Sequence, residues 1–123
     1  MLKSKIHRAS VTGANIEYIG SISIDKELMD RAGIIPYEKV LVAALDSGER
    51  LETYVIESKR GGGEICLNGA AARKIKEGDR VIILSFALMD EVEAATHKPK
   101  IVYVNGNNKI TAKKDLIDPD DLC

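Results

Sequence analysis

A glycine followed by a serine, Gly20-Ser21, interrupts an otherwise strand-like run from Glu17 to Ile24. Two readings of the pair are open. Glycine within a strand pattern ordinarily marks a bulge or a bend. Alternatively, Gly20 offers an unhindered carbonyl on a residue that tolerates unusual dihedrals, and the Ser21 hydroxyl can attack it and move the acyl group from nitrogen to oxygen. Elimination from that ester, followed by loss of ammonia, would leave a pyruvoyl group at position 21. The other reactive residue types form weaker patterns. Gly61-Gly62-Gly63 lacks the Lys and Ser/Thr of a P-loop and reads as a hairpin loop. Neither His7 nor His97 has a second histidine at ligand spacing, and no HExxH or paired-cysteine motif occurs, so no metal is expected. Cys66 and Cys123 stand at unrelated positions and read as free thiols.

The elements that must position these residues are short. Lys5 to Thr12 partly alternates apolar and polar residues and predicts a strand, closed by a turn over Thr12 to Asn15. A second strand is expected from Ile16 to Ile24. Asp25 then stands as an N-cap, with Leu28, Met29 and Ala32 on one helical face and Gly33 as the stop. Strands over Val40 to Leu45 and Leu51 to Ile56 flank the hairpin signal Asp46-Ser47-Gly48-Glu49. A strand Ile65 to Leu67 leads to Asn68, a second cap-like residue before the short helix former Gly69 to Arg73. The turn Glu77-Gly78-Asp79 leads into the strand Val81 to Phe86. Acidic residues Asp90, Glu91 and Glu93 precede a last strand, Ile101 to Val104, and the turn Asn105 to Asn108. The order strand, short helix, turn, strand thus occurs twice, at Ile22 to Val40 and Ile65 to Val81, which predicts internal pseudo-symmetry. Many short strands with short helices imply a mainly β barrel.

Composition bounds the rest. The chain has 123 residues, 45% apolar and 30% charged, enough for one compact domain with one core. With 18 basic against 19 acidic residues it offers no long-range attraction to phosphates, so nucleic acid is not an expected partner. Aromatics at 4% leave few large anchors, so an oligomer interface is expected to supplement the core. No signal-like or membrane-spanning run is present, and a cytoplasmic location without membrane association is the expectation. Residues 1–111 are expected to form the catalytic barrel, and the charged segment 112–123 a mobile tail.

Five segments carry a more specific signal: Lys5-Ile6-His7-Arg8, Tyr18-Ile19-Gly20-Ser21, Arg50-Leu51-Glu52-Thr53-Tyr54, Asn68-Gly69-Ala70-Ala71-Ala72 and Gly78-Asp79-Arg80-Val81-Ile82-Ile83. In order and spacing the sequence resembles the pyruvoyl-dependent aspartate 1-decarboxylases, which make β-alanine from L-aspartate for pantothenate and coenzyme A synthesis. The resemblance implies a double-psi β-barrel, whose two interlocked motifs agree with the repeated element order. It also implies a homotetramer with active sites between neighbouring subunits. The chain would cut itself between Gly20 and Ser21, and the self-generated pyruvoyl group from Ser21 would be the cofactor and the site of the Schiff base with substrate.

The same resemblance assigns roles that suit the residue types. Decarboxylation leaves an electron pair that amino-acid side chains cannot delocalise, and an imine can. Arg50, whose fork binds a carboxylate bidentately, is the expected substrate clamp, supplemented by Lys5. Tyr54 would protonate the former α-carbon. Thr53 would polarise the Gly20 carbonyl during self-cleavage and contact substrate, although on a flat strand it points away from the Tyr54 face. Asn68 and the backbone amides of Gly69, Ala70 and Ala71 would bind the substrate's negative charge, and His7 and Tyr18 would lie near the cleavage region. A rival reading comes from Ser21 to Val42, which also resembles the swapped-hairpin DNA-binding transcription factors. Against it, that stretch holds Asp25, Glu27, Asp30 and Glu38 against Lys26, Arg31 and Lys39, an acidic balance where phosphate contact needs the reverse.

Overall fold

The computed structural model describes residues 1–111, so the segment expected to be a mobile tail, and Cys123 within it, lie outside the described residues. Eight strands are present: β1 (Leu2–Ser10), β2 (Gly13–Asn15), β3 (Ser21–Asp25), β4 (Lys39–Ala44), β5 (Arg50–Ser58), β6 (Ile65–Asn68), β7 (Arg80–Phe86) and β8 (Lys100–Tyr103). Between them lie helix α1 (Lys26–Ala32), a 3-10 helix at Gly69–Arg73 and helix α2 (Glu91–Thr96). The strands hydrogen-bond in the order β2-β6-β3-β5-β4-β7-β1-β8. Because β1 runs on into β2 through Val11 and Thr12, the two sides of the sheet meet and the sheet closes. Thr12 seals that junction: its N–H donates to the Ile65 carbonyl at 2.8 Å, and its hydroxyl accepts from the Ile65 N–H at 3.0 Å. The fold is the mainly β, double-psi type of barrel.

The repeat in element order is a repeat in pairing. In one half, β3 runs parallel to β5, and β5 runs antiparallel to β4. In the other half, β6 runs parallel to β2, and β1, which continues into β2, runs antiparallel to β7. The halves join across the antiparallel pairs β3 with β6 and β4 with β7. Each half therefore supplies the strands that the other needs to satisfy its backbone N–H and C=O groups.

Alternation explains which side chains fill the barrel. Ile6, Ile22, Ile24, Val40, Val42, Val55, Ile65, Leu67, Val81 and Ile83 are buried and share one core with Leu28, Met29 and Ala32 of α1. Each large apolar side chain removed from water contributes about 1.5–3 kcal/mol, so this cluster is the main force holding the short strands together. Helix α1 forms as its sequence predicts. The Asp25 carboxylate accepts from the Glu27 N–H at 2.9 Å, and Gly33 takes the left-handed conformation (φ 69°) that ends the helix.

The structure differs from the sequence reading in four places. Residues 13–15 pair as a strand where a turn was expected, because Gly13 to Asn15 run parallel to Cys66 to Asn68. The strand expected from Ile16 begins only at Ser21. Residues 16–20 form an exposed turn, with Ile16 49% and Ile19 78% exposed. Asn68 does not cap the helix that follows it, since its side chain is engaged elsewhere. Helix α2, capped by Asp90 donating nothing and accepting from the Glu93 N–H, has no buried residue and so left no apolar period to read.

Candidate active site around Gly20 and Ser21

Ser21 is the first residue of β3 and is 1% exposed, while Gly20 before it ends the exposed turn. The chain passes from solvent into the barrel wall between these two residues. The Ser21 hydroxyl donates to the Ile19 carbonyl at 3.4 Å and accepts from the side-chain amide of Asn68 at 2.9 Å. Asn68 is brought there by the antiparallel ladder, in which Ser21 pairs with Asn68 and Ser23 with Cys66. All four side chains consequently share one face of the sheet. The same Asn68 amide donates to the Ser23 hydroxyl at 3.0 Å, and its oxygen accepts from the Cys66 thiol at 3.4 Å. Burial, together with the Glu64 charge, pushes the Cys66 thiol up from its ordinary pKa, so it is a neutral donor.

Gly69 follows Asn68 at φ 65°, and a Cβ there would stand 2.7 Å from both the N and Cα of Gly20 and 2.9 Å from the Tyr18 carbonyl oxygen. Only glycine permits that approach. Ala70 is exposed and Ala71 half-buried, on the 3-10 helix that follows. Their small side chains leave the approach to Gly20 open.

The parallel pairing of β3 with β5 matches Ile22 with Val55. Continued backwards, this register sets Tyr54 beside Ser21 and Thr53 beside Gly20. Strand β5 keeps an unbroken register with β4, from Tyr54 opposite Lys39 to Arg50 opposite Ala43, so no bulge brings Thr53 and Tyr54 to one face. Tyr54 lies on the Ser21 face, where its ring meets that of Tyr37 at 6.4 Å. Thr53 lies on the inner side with Val40 and Val55. Both residues nonetheless line one cleft of about 340 Å³ with Lys39 and Glu52, which pair with each other at 2.9 Å.

Three of the expected site residues, Arg50, Lys5 and His7, stand apart. Arg50 is exposed at the start of β5, roughly 13 Å along the strand from Tyr54. Lys5 and His7 lie on β1, beyond β4 and β7 in the sheet, where His7 packs edge-on against Tyr103 at 5.6 Å between ring centroids. Tyr18 is 58% exposed in the turn before the Gly20-Ser21 bond. Within one chain, then, Ser21, Gly20, Asn68 and Gly69 come together, Thr53 and Tyr54 line a neighbouring cleft, and Lys5, His7 and Arg50 do not join them. Sequence reading missed Ser23 and Cys66. Their signal was the two-residue spacing from Ser21 and Asn68, which shares a face only once the strands are known.

The family model for aspartate decarboxylase matches residues 1–111. Among curated relatives, the aspartate 1-decarboxylase of Caldicellulosiruptor saccharolyticus is 60% identical over 110 residues, covering 89% of this chain and 86% of that protein. The aspartate 1-decarboxylase of Bacillus subtilis is 54% identical over 110 residues, covering 89% and 87%. That of Neisseria meningitidis is 56% identical over 117 residues, covering 95% and 90%. The rival reading of a DNA-binding module finds no support among them. No described helix is long and apolar enough to cross a membrane.

Proposed function

The chain belongs to the aspartate decarboxylase family; it decarboxylates L-aspartate to β-alanine for pantothenate biosynthesis, and we propose that it does so with a pyruvoyl group made from its own Ser21. The observation that carries this reading is the Ser21 hydroxyl, buried at a strand start, preceded by a glycine without a Cβ and held by the Asn68 amide at 2.9 Å. These residues fit the precursor of such a group, because the nucleophile and the carbonyl it must reach are adjacent and crowding from position 69 is absent.

In self-cleavage, the Ser21 oxygen adds to the Gly20 carbonyl carbon, the Gly20–Ser21 C–N bond breaks, and the nitrogen takes the hydroxyl proton, leaving an ester and a free amine. Thr53 precedes Val55, the partner of Ile22, by two residues just as Gly20 precedes Ile22, and from a place beside Gly20 its hydroxyl would donate to the carbonyl oxygen as charge develops there. Next, the Cα proton of residue 21 passes to solvent, the Cβ–Oγ bond breaks, and the oxygen departs with Gly20 as a carboxylate. The enamine that remains tautomerises and takes up one water to release ammonia. The Asn68 N–H on Oγ favours the departing, negatively charged oxygen.

The pyruvoyl group supplies an electron sink for the pair left when carbon dioxide departs. Tyr54, beside position 21 on the same face, holds a proton where the former α-carbon of the substrate would need it. Arg50 clamps the substrate's other carboxylate with Lys5 in support; each charge-assisted hydrogen bond is worth about 1.5–3 kcal/mol. The exposed position of Arg50 at the start of β5 and that of Lys5 on a different strand from Ser21 support completion of the site by a neighbouring copy in a homotetramer, with His7 and Tyr18 at the same boundary. Asn68, Gly69, Ala70 and Ala71 line the substrate's other side with an amide and unobstructed backbone.

Intact mass of the purified protein tests this reading. Two fragments split between Gly20 and Ser21, with a blocked N-terminus on the larger, are expected. An uncut chain that still decarboxylates aspartate overturns it.

A further inference from the structure

We infer that Ser23 and Cys66 are positioning residues that hold the Asn68 amide in the orientation self-cleavage requires, before and after Ser21 loses its oxygen. The inference rests on the maturation of Ser21 proposed above. A side-chain amide can turn over about its last torsion, exchanging its N–H₂ and its oxygen. The Ser21 hydroxyl alone does not decide between the two, because it can donate or accept. Around Asn68, Nδ2 donates to Ser21 Oγ at 2.9 Å and to Ser23 Oγ at 3.0 Å, and Oδ1 accepts from Cys66 Sγ at 3.4 Å. The Cys66 thiol has a hydrogen to give to Oδ1, which is nearer at 3.4 Å than its other acceptor, the Leu67 carbonyl at 3.9 Å, and its sulfur accepts only weakly from an N–H, so it favours the orientation with N–H toward the serines.

The consequence concerns the second covalent step. When the Cβ–Oγ bond breaks, the oxygen leaves with Gly20 as a carboxylate and needs an N–H donor. An inverted amide would present Oδ1 there and repel the developing charge. One of the three bonds to Asn68 goes with the departing oxygen, and the bonds to Ser23 and Cys66 remain. Ser23 is 8% exposed and Asn68 3%, so water does not readily replace the bond between them.

Weakening the anchors should slow elimination more than acyl shift, and the ester should accumulate. The test follows the full chain by intact mass after expression, with and without hydroxylamine, which cuts the ester and leaves residue 21 as an intact serine with a free amine. For the double variant Ser23→Ala with Cys66→Ala, completed processing should fall about tenfold and the hydroxylamine-sensitive ester should rise. Ser23→Thr keeps the hydroxyl and Cys66→Ser replaces the thiol with another hydrogen-bond donor, and both should process within about threefold of the native chain. The single alanine variants should show the same ester in smaller amount, and they decide the matter if the double variant does not fold. Native processing rates in both single alanine variants, or slowing without ester, overturn the inference. A native chain that never cleaves overturns the maturation reading itself and is told apart by the absence of cleavage in the unmodified protein.

Discussion

Gly69 lies so close to Gly20 that a Cβ at position 69 would sit 2.7 Å from the Gly20 N and Cα, and its own φ of 65° is one that L side chains rarely adopt. The close approach ties the 3-10 helix start to the bond expected to break. Gly69→Ala should therefore cost stability twice, through backbone strain and through displacement of residues 18–20, by about 2–4 kcal/mol in all. Denaturant unfolding measures that cost. Intact mass should show slower cleavage as well, since the displaced backbone is the one carrying the Gly20 carbonyl; cleavage at the native rate would remove the steric argument.

The proposed mechanism gives Ser21 and Tyr54 different tasks. Ser21→Ala removes the attacking oxygen and should leave one uncut, inactive chain. Tyr54→Phe keeps the ring that meets Tyr37 and removes only the hydroxyl, so cleavage should proceed while kcat falls by about 10²-fold or more, the usual worth of a positioned proton donor. Mass spectrometry and steady-state kinetics on the same preparation separate the two effects. An unprocessed Tyr54→Phe chain would place the hydroxyl in maturation instead.

What was legible in the sequence was local. Asp25, the Leu28, Met29 and Ala32 face and Gly33 define α1 within nine residues, and each acts through its nearest neighbours. The Gly20-Ser21 pair was legible for the same reason, because its chemistry needs only adjacent atoms. The misreading of residues 16–20 came from Ile16, Tyr18 and Ile19, which look like strand residues yet stand exposed. Apolar type predicts burial only when a partner surface exists, and these three find none among the described residues. The partners of Asn68 depended on which strand pairs with β6, and the neighbours of Thr53 and Tyr54 on the parallel register of β3 with β5. Such long-range pairings leave no mark in a window of ten residues.

Asp25 fastens the loop that follows β5 to the start of α1. Its carboxylate accepts from the N–H groups of Glu27, Gly61 and Gly63 at 2.9, 2.8 and 2.9 Å. Burial by itself would raise its pKa, but these N–H groups and the Lys109 charge outweigh it and hold the carboxyl below its ordinary 3.8. A depressed carboxyl stabilises the fold at pH values above the ordinary one and loses that contribution as pH falls through its lowered folded-state pKa. Asp25→Asn should therefore lower stability at pH 7 by about 1–3 kcal/mol, and the gap from the native chain should narrow on acidification below 3.8. Urea titrations at several pH values check it; a gap that stays constant into acid would mean the charge contributes nothing beyond the capping geometry.

Arg50 stands at the start of β5, roughly 13 Å along the strand from Tyr54 and five residues before Val55, the partner of Ile22. If neighbouring copies complete each site, Ser21→Ala and Arg50→Ala should complement each other. Each variant alone lacks a function in every site. In a mixed assembly, an Arg50→Ala chain supplies the processed position 21 while its Ser21→Ala neighbour supplies the guanidinium. Random assortment at equal expression then restores both groups at about one interface in four. Co-expression followed by an assay for β-alanine should recover about a quarter of native activity, whereas mixing the separately purified proteins without exchange should recover none. Absence of any recovery on co-expression, with mixed assemblies verified by mass, would confine the site to a single chain and require Arg50 to reach Ser21 by a rearrangement of β5.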